Sequence, residues 1–510
     1  MRGRNLIFNT LLLTATSFLM RAVGVSFQVY LSNKIGPAGI GLFQLIMSVN
    51  ILAFTFATSG IRFSAMRIIS EELGVKNYDG VRKSVRCCMA YALLFGLLAG
   101  LALYFSSEFV GTKWIGNSAS ILSLKLLSIS MPFLALVSVL SGYFTAVSRV
   151  IKPALVQVAE QLVNIGVIVA ALRFVPTGNL KLSCGAIILG GLAGDIFSFC
   201  LQLILYLFDR RRYVPSGKAA KGIMPRVFSV AIPLALSSYA RTFLVTLQNL
   251  LIPRGLQKSG ASAQAALSDY GKINGMVFPI ITFPSALFVS LADLLVPELT
   301  AAQVRGDTSL IDTLVNRILT LCIMFAIGIM CFLIHFSRDL GITIYSSGEI
   351  GQYIFALSFL LPVMYADTIT DGMLKGLGQH IASMRYNIID SLLSVILLYI
   401  FLPIGALKGY IFLLYFSEIF NFSLSIHRLS KTAHLSLDIS KIVASVLCGA
   451  GAANFSILLL RLSGHPLHSS GASLLAHFFL SSLLFTALLR VLGCITSRDI
   501  KWFYNMLRQK

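Results

Sequence analysis

Apolar runs of about twenty residues or more recur along almost the whole chain, separated by short polar stretches. They cover residues 6–31, 39–66, 86–106, 119–147, 153–175, 184–208, 227–252, 270–297, 314–336, 350–374, 384–404, 407–427, 441–462 and 471–496. About 20 apolar residues in a helix cross the hydrocarbon of a bilayer. The pattern therefore predicts an all-α integral membrane protein with about fourteen transmembrane helices. Pro132, Pro233, Pro279, Pro284 and Pro362 fall inside these runs. Within a membrane such prolines are tolerated where neighbouring groups satisfy the backbone they free.

Composition agrees with the pattern. Of 510 residues, 56% are hydrophobic and 12% charged, and the mean hydropathy is +0.84. Soluble domains carry roughly 25% charged residues, so a large soluble protein with a greasy core is excluded. The first run is too long for the apolar core of a signal peptide and reads as an uncleaved helix. The eight cysteines show no C-x-x-C pair and lie mostly within apolar runs. There a cysteine is a small hydrophobe, and no disulfide or metal site is expected.

The formal charge of +21 would suggest nucleic acid in a soluble protein, but here the basic residues sit in short loops. The N-terminus, the loops near 67–86, 148–152, 209–226, 301–317, 375–385 and 428–441, and the tail from Arg498 hold 26 Lys and Arg; the alternate loops hold 9. The positive-inside rule then places both termini in the cytoplasm of a bacterial multi-pass membrane protein.

The longest basic loop, 209–226, looks like a linker between two lobes, and the two sides resemble each other. A shift of 220 residues lays Ser17, Arg21 and Gln28 on Ser237, Arg241 and Gln248. A shift of 230 lays Gly41 on Gly271, Pro132 on Pro362, Gly142 on Gly372 and Glu160 on Asp390. The expected organisation is an N-lobe of six helices (1–208), the linker (209–226), a C-lobe of six helices (227–430) and two added helices with a tail (431–510). Six helices per repeat make the repeats parallel, related by an axis along the membrane normal. Transporters built this way hold substrate between the repeats and alternate access by rocking them.

Charges within the apolar runs carry the candidate chemistry, because a charge at a helix centre needs a cavity, a partner or a ligand. Arg21 and Arg241 hold repeat-equivalent places. Each guanidinium offers a fork of donors suited to phosphate oxygens, which points to an anionic substrate carrying a phosphate or diphosphate. The other reading is a buried carboxylate beside each arginine, holding helices together. Gln28 and Gln248 are candidate polar residues of the same cavity. Arg62 and Asp293 occupy nearly equivalent places and form a candidate gate, although Arg62 is near enough to a helix end to snorkel. Asp367, Asp371 and Lys375, spaced by four, share one helical face. The first half has Val137, Ser141 and Thr145 there, so the acidic stripe belongs to the second lobe alone. It could bind a coupling cation, sodium or proton, or pair with arginines. Glu160, Asp195, Asp390 and Glu418 read as structural. No Walker motif or histidine ligand set is present, and neither an enzyme nor a cofactor is expected.

Several stretches resemble a known family. They are Gly36-Pro37-Ala38-Gly39-Ile40-Gly41-Leu42-Phe43-Gln44-Leu45, Gly142-Tyr143-Phe144 with Pro153 and Gln157-Val158-Ala159-Glu160-Gln161, Ile232-Pro233-Leu234, and Leu374-Lys375-Gly376-Leu377-Gly378. The chain resembles the stage V sporulation protein B and polysaccharide-biosynthesis branch of the MOP flippase superfamily, over roughly residues 5–430. The resemblance implies two six-helix lobes in a V, with two further helices beside a groove for a polyprenyl tail. It also implies that Arg21, Arg62 and Arg241 face the diphosphate of a lipid-linked sugar, as in the related lipid II flippases. Ser383 in place of a second Pro153, and Asn164 where a basic residue is expected, depart from that pattern. The expected function is a flippase for an undecaprenyl-diphosphate-linked saccharide of the peptidoglycan or spore-cortex type. Its partners would be the membrane lipid and cell-wall or sporulation proteins. The alternatives are a cation-coupled multidrug antiporter, which would want a carboxylate-lined cavity, and a non-transporting membrane scaffold.

If Arg62 and Asp293 pair to close one side, reversing either charge should impair transport and the double swap should restore it. Equal activity of all three variants in a reconstituted assay would end the gate hypothesis.

Overall fold

The computed structural model describes residues 2–176, 178–212, 222–462 and 471–496, except for the side chains of 2–18 and a few others, Asp293 among them. Every regular element among the described residues is helical. In chain order these are α1 (Arg2–Thr58), α2 (Ile61–Gly74), α3 (Tyr78–Phe109), α4 (Ser120–Ala146), α5 (Ile151–Arg173), α6 (Leu180–Asp209), α7 (Ile223–Lys258) and α8 (Ala263–Tyr270). After a π-helical stretch, Gly271–Val277, follow α9 (Phe278–Thr282), α10 (Ala286–Arg305), α11 (Thr308–Tyr345), α12 (Gly348–Ser358), α13 (Leu361–Gly376), α14 (His380–Ser430), α15 (Ile439–Leu462) and α16 (Gly471–Val491).

Eleven helices among the described residues are long and apolar enough to cross a membrane, or twelve if α12 and α13, bent by 55°, form one broken span. Two of these are interrupted. Gly36 takes φ 74° inside α1, a left-handed conformation that glycine reaches without strain. Ala406, with φ 47°, breaks α14 just after Pro403. The spans holding these breaks, 56 and 51 residues long, each exceed twice the ~30 Å of hydrocarbon at ~1.5 Å per residue. Taken as two crossings each, they bring twelve to the fourteen predicted from hydropathy.

The described chain packs as two compact units, one of residues 35–257 with 261–271, the other of the chain before Ile35 with 258–260 and 272–510. These units cut across the sequence division at 209–226. The first crossing of α1 packs with the second-half helices, and α7 packs with the first-half helices.

In the unit of residues 35–257, α7 runs antiparallel along α1 and α2. Thr246 Oγ1 donates to the Ser48 carbonyl at 3.1 Å, Thr55 donates to Thr242 at 3.4 Å, and Ser59 meets the Tyr239 hydroxyl. Farther along, Phe228 meets Tyr91 edge-on, and Arg226 bridges Glu71 and Glu72. Small residues let other helices approach, as membrane interfaces require. Gly96 and Gly100 face the α4 backbone, Gly142 faces the Arg62 carbonyl, and Gly190 and Gly194 face α5. Asp209, fully buried at the end of α6, is held by Arg149, Lys152 and the Tyr143 hydroxyl.

One contact in this unit reproduces itself under the repeat shift. A Cβ on Gly41 would lie 2.1 Å from the Leu267 carbonyl oxygen, and one on Gly271 would lie 2.0 Å from that of Pro37. Leu267 is Pro37 shifted by 230, as Gly271 is Gly41. A contact in which i meets j and j meets i is the mark of a two-fold axis.

In the other unit, α15 and α16 pack on α11. Gly328 receives the Phe485 ring and Gly449 lies on Cys331. Asn454 bonds His335 at 3.1 Å, and the His477 ring lies 4.8 Å from that of Phe336. The connection from α14 is tied to the start of α11, where Asp312 accepts from His434 N at 2.8 Å. All eight cysteines are free thiols.

Gly41→Ala and Gly271→Ala should each lower stability by about 1–3 kcal/mol, the usual cost of overpacking, because the obstructing atoms are backbone. Thermal unfolding in detergent measures this. Gly24→Ala and Gly166→Ala, with nothing within 4 Å of the added methyl, should leave the melting temperature nearly unchanged.

Candidate functional site

The candidate arginines divide between the units. Arg21 lies on the first crossing of α1, in the unit of residues 272–510, and is half-buried. Arg62 opens α2 and Arg241 lies in α7; both belong to the unit of residues 35–257 and are exposed. Arg62 follows the left-handed pair Ser59 and Gly60, so it stands at the start of a half-helix whose N-cap has no side-chain bond. Such a terminus presents free N–H groups and favours negative charge. Among the described side chains, none of the three arginines has a carboxylate within ion-pair distance. The reading in which buried carboxylates neutralise them finds no support there. Asp293 lies on α10, and its side chain is outside the described residues.

Arg21 has one partner, the Thr282 carbonyl, at 3.1 Å from Nη2. Two turns on, Gln28 Nε2 donates to the Gly275 carbonyl at 2.9 Å. These are freed backbone groups of the irregular stretch that contains Pro279 and Pro284. Gln28 is thus engaged with backbone, and its repeat mate Gln248 is a half-buried residue of α7.

The acidic stripe is part of a larger cluster. Asp371 accepts from Ser383 and has Lys375 at 3.9 Å. Asp367 Oδ2 accepts from Asn421 Nδ2 at 3.1 Å, and Asp390 accepts from Ser417 at 2.8 Å. Glu418 is within electrostatic reach of Asp367 and Asp390, so it belongs to this cluster. Among the described residues, Thr370 Oγ1 on α13 and Asn421 Oδ1 on α14 are buried without a hydrogen-bond partner, and Ser425 lies beside the Asp367 carboxylate. Orphaned buried oxygens are rare, and each asks for an explanation. Hard oxygen donors with few formal charges suit a small cation such as sodium, or a proton on the carboxylate.

The first half shows what an occupied version looks like. A shift of 223 lays Asp195, Ser198 and Gln202 on Glu418, Asn421 and Ser425. Gln202 fills its place with an amide that accepts from Ser141 at 3.2 Å and donates to Ser198 at 3.5 Å. Ser425 is shorter and lies beside the Asp367 carboxylate, and Asn421 Oδ1 stays unbonded. The i, i+3 spacing of Asp367 and Thr370 and the i, i+3, i+7 spacing of Glu418, Asn421 and Ser425 were visible in the sequence. Their convergence was not. A surface cavity of about 540 Å³ near Ser337, Arg338, Gly348 and Glu349 involves none of these residues.

Comparison with known proteins identifies the family. The polysaccharide biosynthesis protein family matches over residues 6–297. Stage V sporulation protein B of Bacillus subtilis (strain 168) is 21% identical over 406 residues, covering 78% of each chain. Lipid II flippase MurJ of the same organism is 23% identical over 355 residues, covering 64% of each. Among solved structures, lipid II flippase MurJ in an inward closed conformation superposes with a TM-score of 0.70 at 15% identity, covering 94% of this chain and 98% of that one. An inward-facing multidrug resistance MATE family transporter of the MOP superfamily superposes with a TM-score of 0.63 at 14% identity, covering 80% and 94%. The fold is that of the MOP superfamily, and the chain belongs to the polysaccharide biosynthesis protein family, a multi-pass membrane protein of the cell membrane.

Proposed function

We propose that the protein is a flippase for an undecaprenyl-diphosphate-linked saccharide of the peptidoglycan or spore-cortex type, with both termini in the cytoplasm. The observation that carries this is the set of three arginines, Arg21, Arg62 and Arg241, with no carboxylate partner among the described side chains. Unpaired guanidinium groups on membrane helices persist where an anion completes them. A diphosphate matches their forked donors, and a chain that moves a lipid head group needs no soluble substrate. The names of the sporulation protein and lipid II flippase relatives support the same class of cargo.

The Asp367 cluster supplies the coupling. Asp367, Thr370, Asn421 and Ser425 would hold a sodium ion, or Asp367 a proton, and the bound charge neutralises the carboxylates around it. A cation-exporting antiporter is the second reading. This cluster favours it, but the carboxylates are enclosed by protein groups instead of lining an open cavity.

In proteoliposomes, Arg21→Ala and Arg241→Ala should each slow translocation of a lipid-linked precursor by about tenfold to a hundredfold, the loss of a charge-assisted hydrogen bond of about 1.5–3 kcal/mol. Normal flipping by both variants would overturn the diphosphate reading. Binding of radioactive sodium to purified protein tests the coupling separately. It should be lost in Asp367→Asn and Thr370→Val and kept in Arg241→Ala. If the wild type binds no sodium and translocation is insensitive to a proton gradient, the cluster has no coupling role.

A further inference from the structure

The helix after Gly271 is irregular for a reason written in its sequence. Pro279 and Pro284 have no N–H to give to the turn before them, and residues 271–277 and 283–285 leave α geometry. Four carbonyls of this stretch receive side-chain donors from other helices. Gln28 donates to Gly275 at 2.9 Å, Tyr345 to Met276 at 2.9 Å, Tyr365 to Ile281 at 2.6 Å and Arg21 to Thr282 at 3.1 Å.

Three of these donors are neutral. The fourth is a guanidinium, and a guanidinium bond to phosphate is roughly twice as strong as a bond between neutral groups. Arg21 therefore gains by exchanging the carbonyl for a phosphate, whereas Gln28, Tyr345 and Tyr365 do not. The exchange leaves no bare carbonyl in lipid, because Ser285 Oγ also donates to Thr282 O, at 2.7 Å. Arg241, the repeat mate, sits exposed on α7 and bonds no backbone carbonyl among the described residues. Of the pair, only Arg21 links the proposed cargo to the backbone.

We propose that Arg21 is a cargo-sensing switch: without cargo it caps Thr282 and holds the 283–285 turn, and an arriving diphosphate draws it away and loosens that turn. The inference rests on the diphosphate reading of Arg21. Loosening there changes the bend between α9 and α10, so loading of the substrate would reach the helix axis directly. Arg21 is then a positioning residue for the conformational change as well as a ligand for phosphate.

Hydrogen–deuterium exchange of the protein in nanodiscs tests this, with undecaprenyl diphosphate as the probe and undecaprenol as the phosphate-free control. In the wild type, exchange across 280–288 should rise several-fold with the diphosphate and stay unchanged with the alcohol. Arg21→Met should show the raised exchange before any probe is added, with no further rise. Tyr365→Phe should raise the starting level but keep the diphosphate-dependent step. If Arg21→Met does not fold, Arg21→Gln makes the same comparison and should lack the step. Binding is followed in parallel by native mass spectrometry. Diphosphate that binds without changing exchange overturns the switch and leaves the function standing. No preference for diphosphate over the alcohol overturns both.

Discussion

A backbone carbonyl that loses its helical partner inside lipid finds no water to replace it. That constraint organises the stretch from Gly271 to Ser285. Two prolines break its ladder, and the donors that repair it come from the first crossing of α1, from the end of α11 and from α13. The repair explains why Arg21 and Gln28 sit on one face of α1, seven residues or about two turns apart. It also accounts for the first crossing of α1 packing with the second-half helices. A helix whose side chains satisfy another helix's backbone is held there more specifically than apolar contact alone would hold it.

Much of this was legible beforehand. Run lengths predicted the crossings, because hydrocarbon thickness sets a length that apolar residues must match. The prolines announced where the ladder would fail. The shift of 230 pairs Gly41 with Gly271, and the structure has the two facing each other at backbone distance. What was not legible is partnership. A sequence shows that Arg21 is charged; it does not show that the nearest acceptor is a main-chain oxygen. The proximity of Glu418 to Asp367 was hidden for a related reason. Between α5 and α6 the repeat shift falls from 230 to 223, and a seven-residue slip is nearly two turns. The face is preserved while the register changes, so Asp195 and Glu418 are equivalent under a shift of 223 and not of 230.

The two repeats carry the same polar framework to different ends. In the first, Gln202 closes its neighbourhood with Ser141 and Ser198. In the second, the shorter Ser425 leaves Asn421 Oδ1 unmatched, and Asp367 and Asp371 replace Val137 and Ser141. One substitution in volume and two in charge separate a satisfied interior from one that attracts a cation. The acidic cluster of the second repeat thus has no counterpart at Val137 and Ser141, while Arg21, Arg62 and Arg241 have no acidic partner among the described side chains.

The α15–α16 hairpin leans on α11 through Gly328, Gly449, His335 and Phe336. Nothing corresponds to it in the first repeat, which ends at α6. The two helices add to α11 a seam that holds His335, Asn454 and His477. Lipid beside α11 therefore meets two added helices and the seam they make.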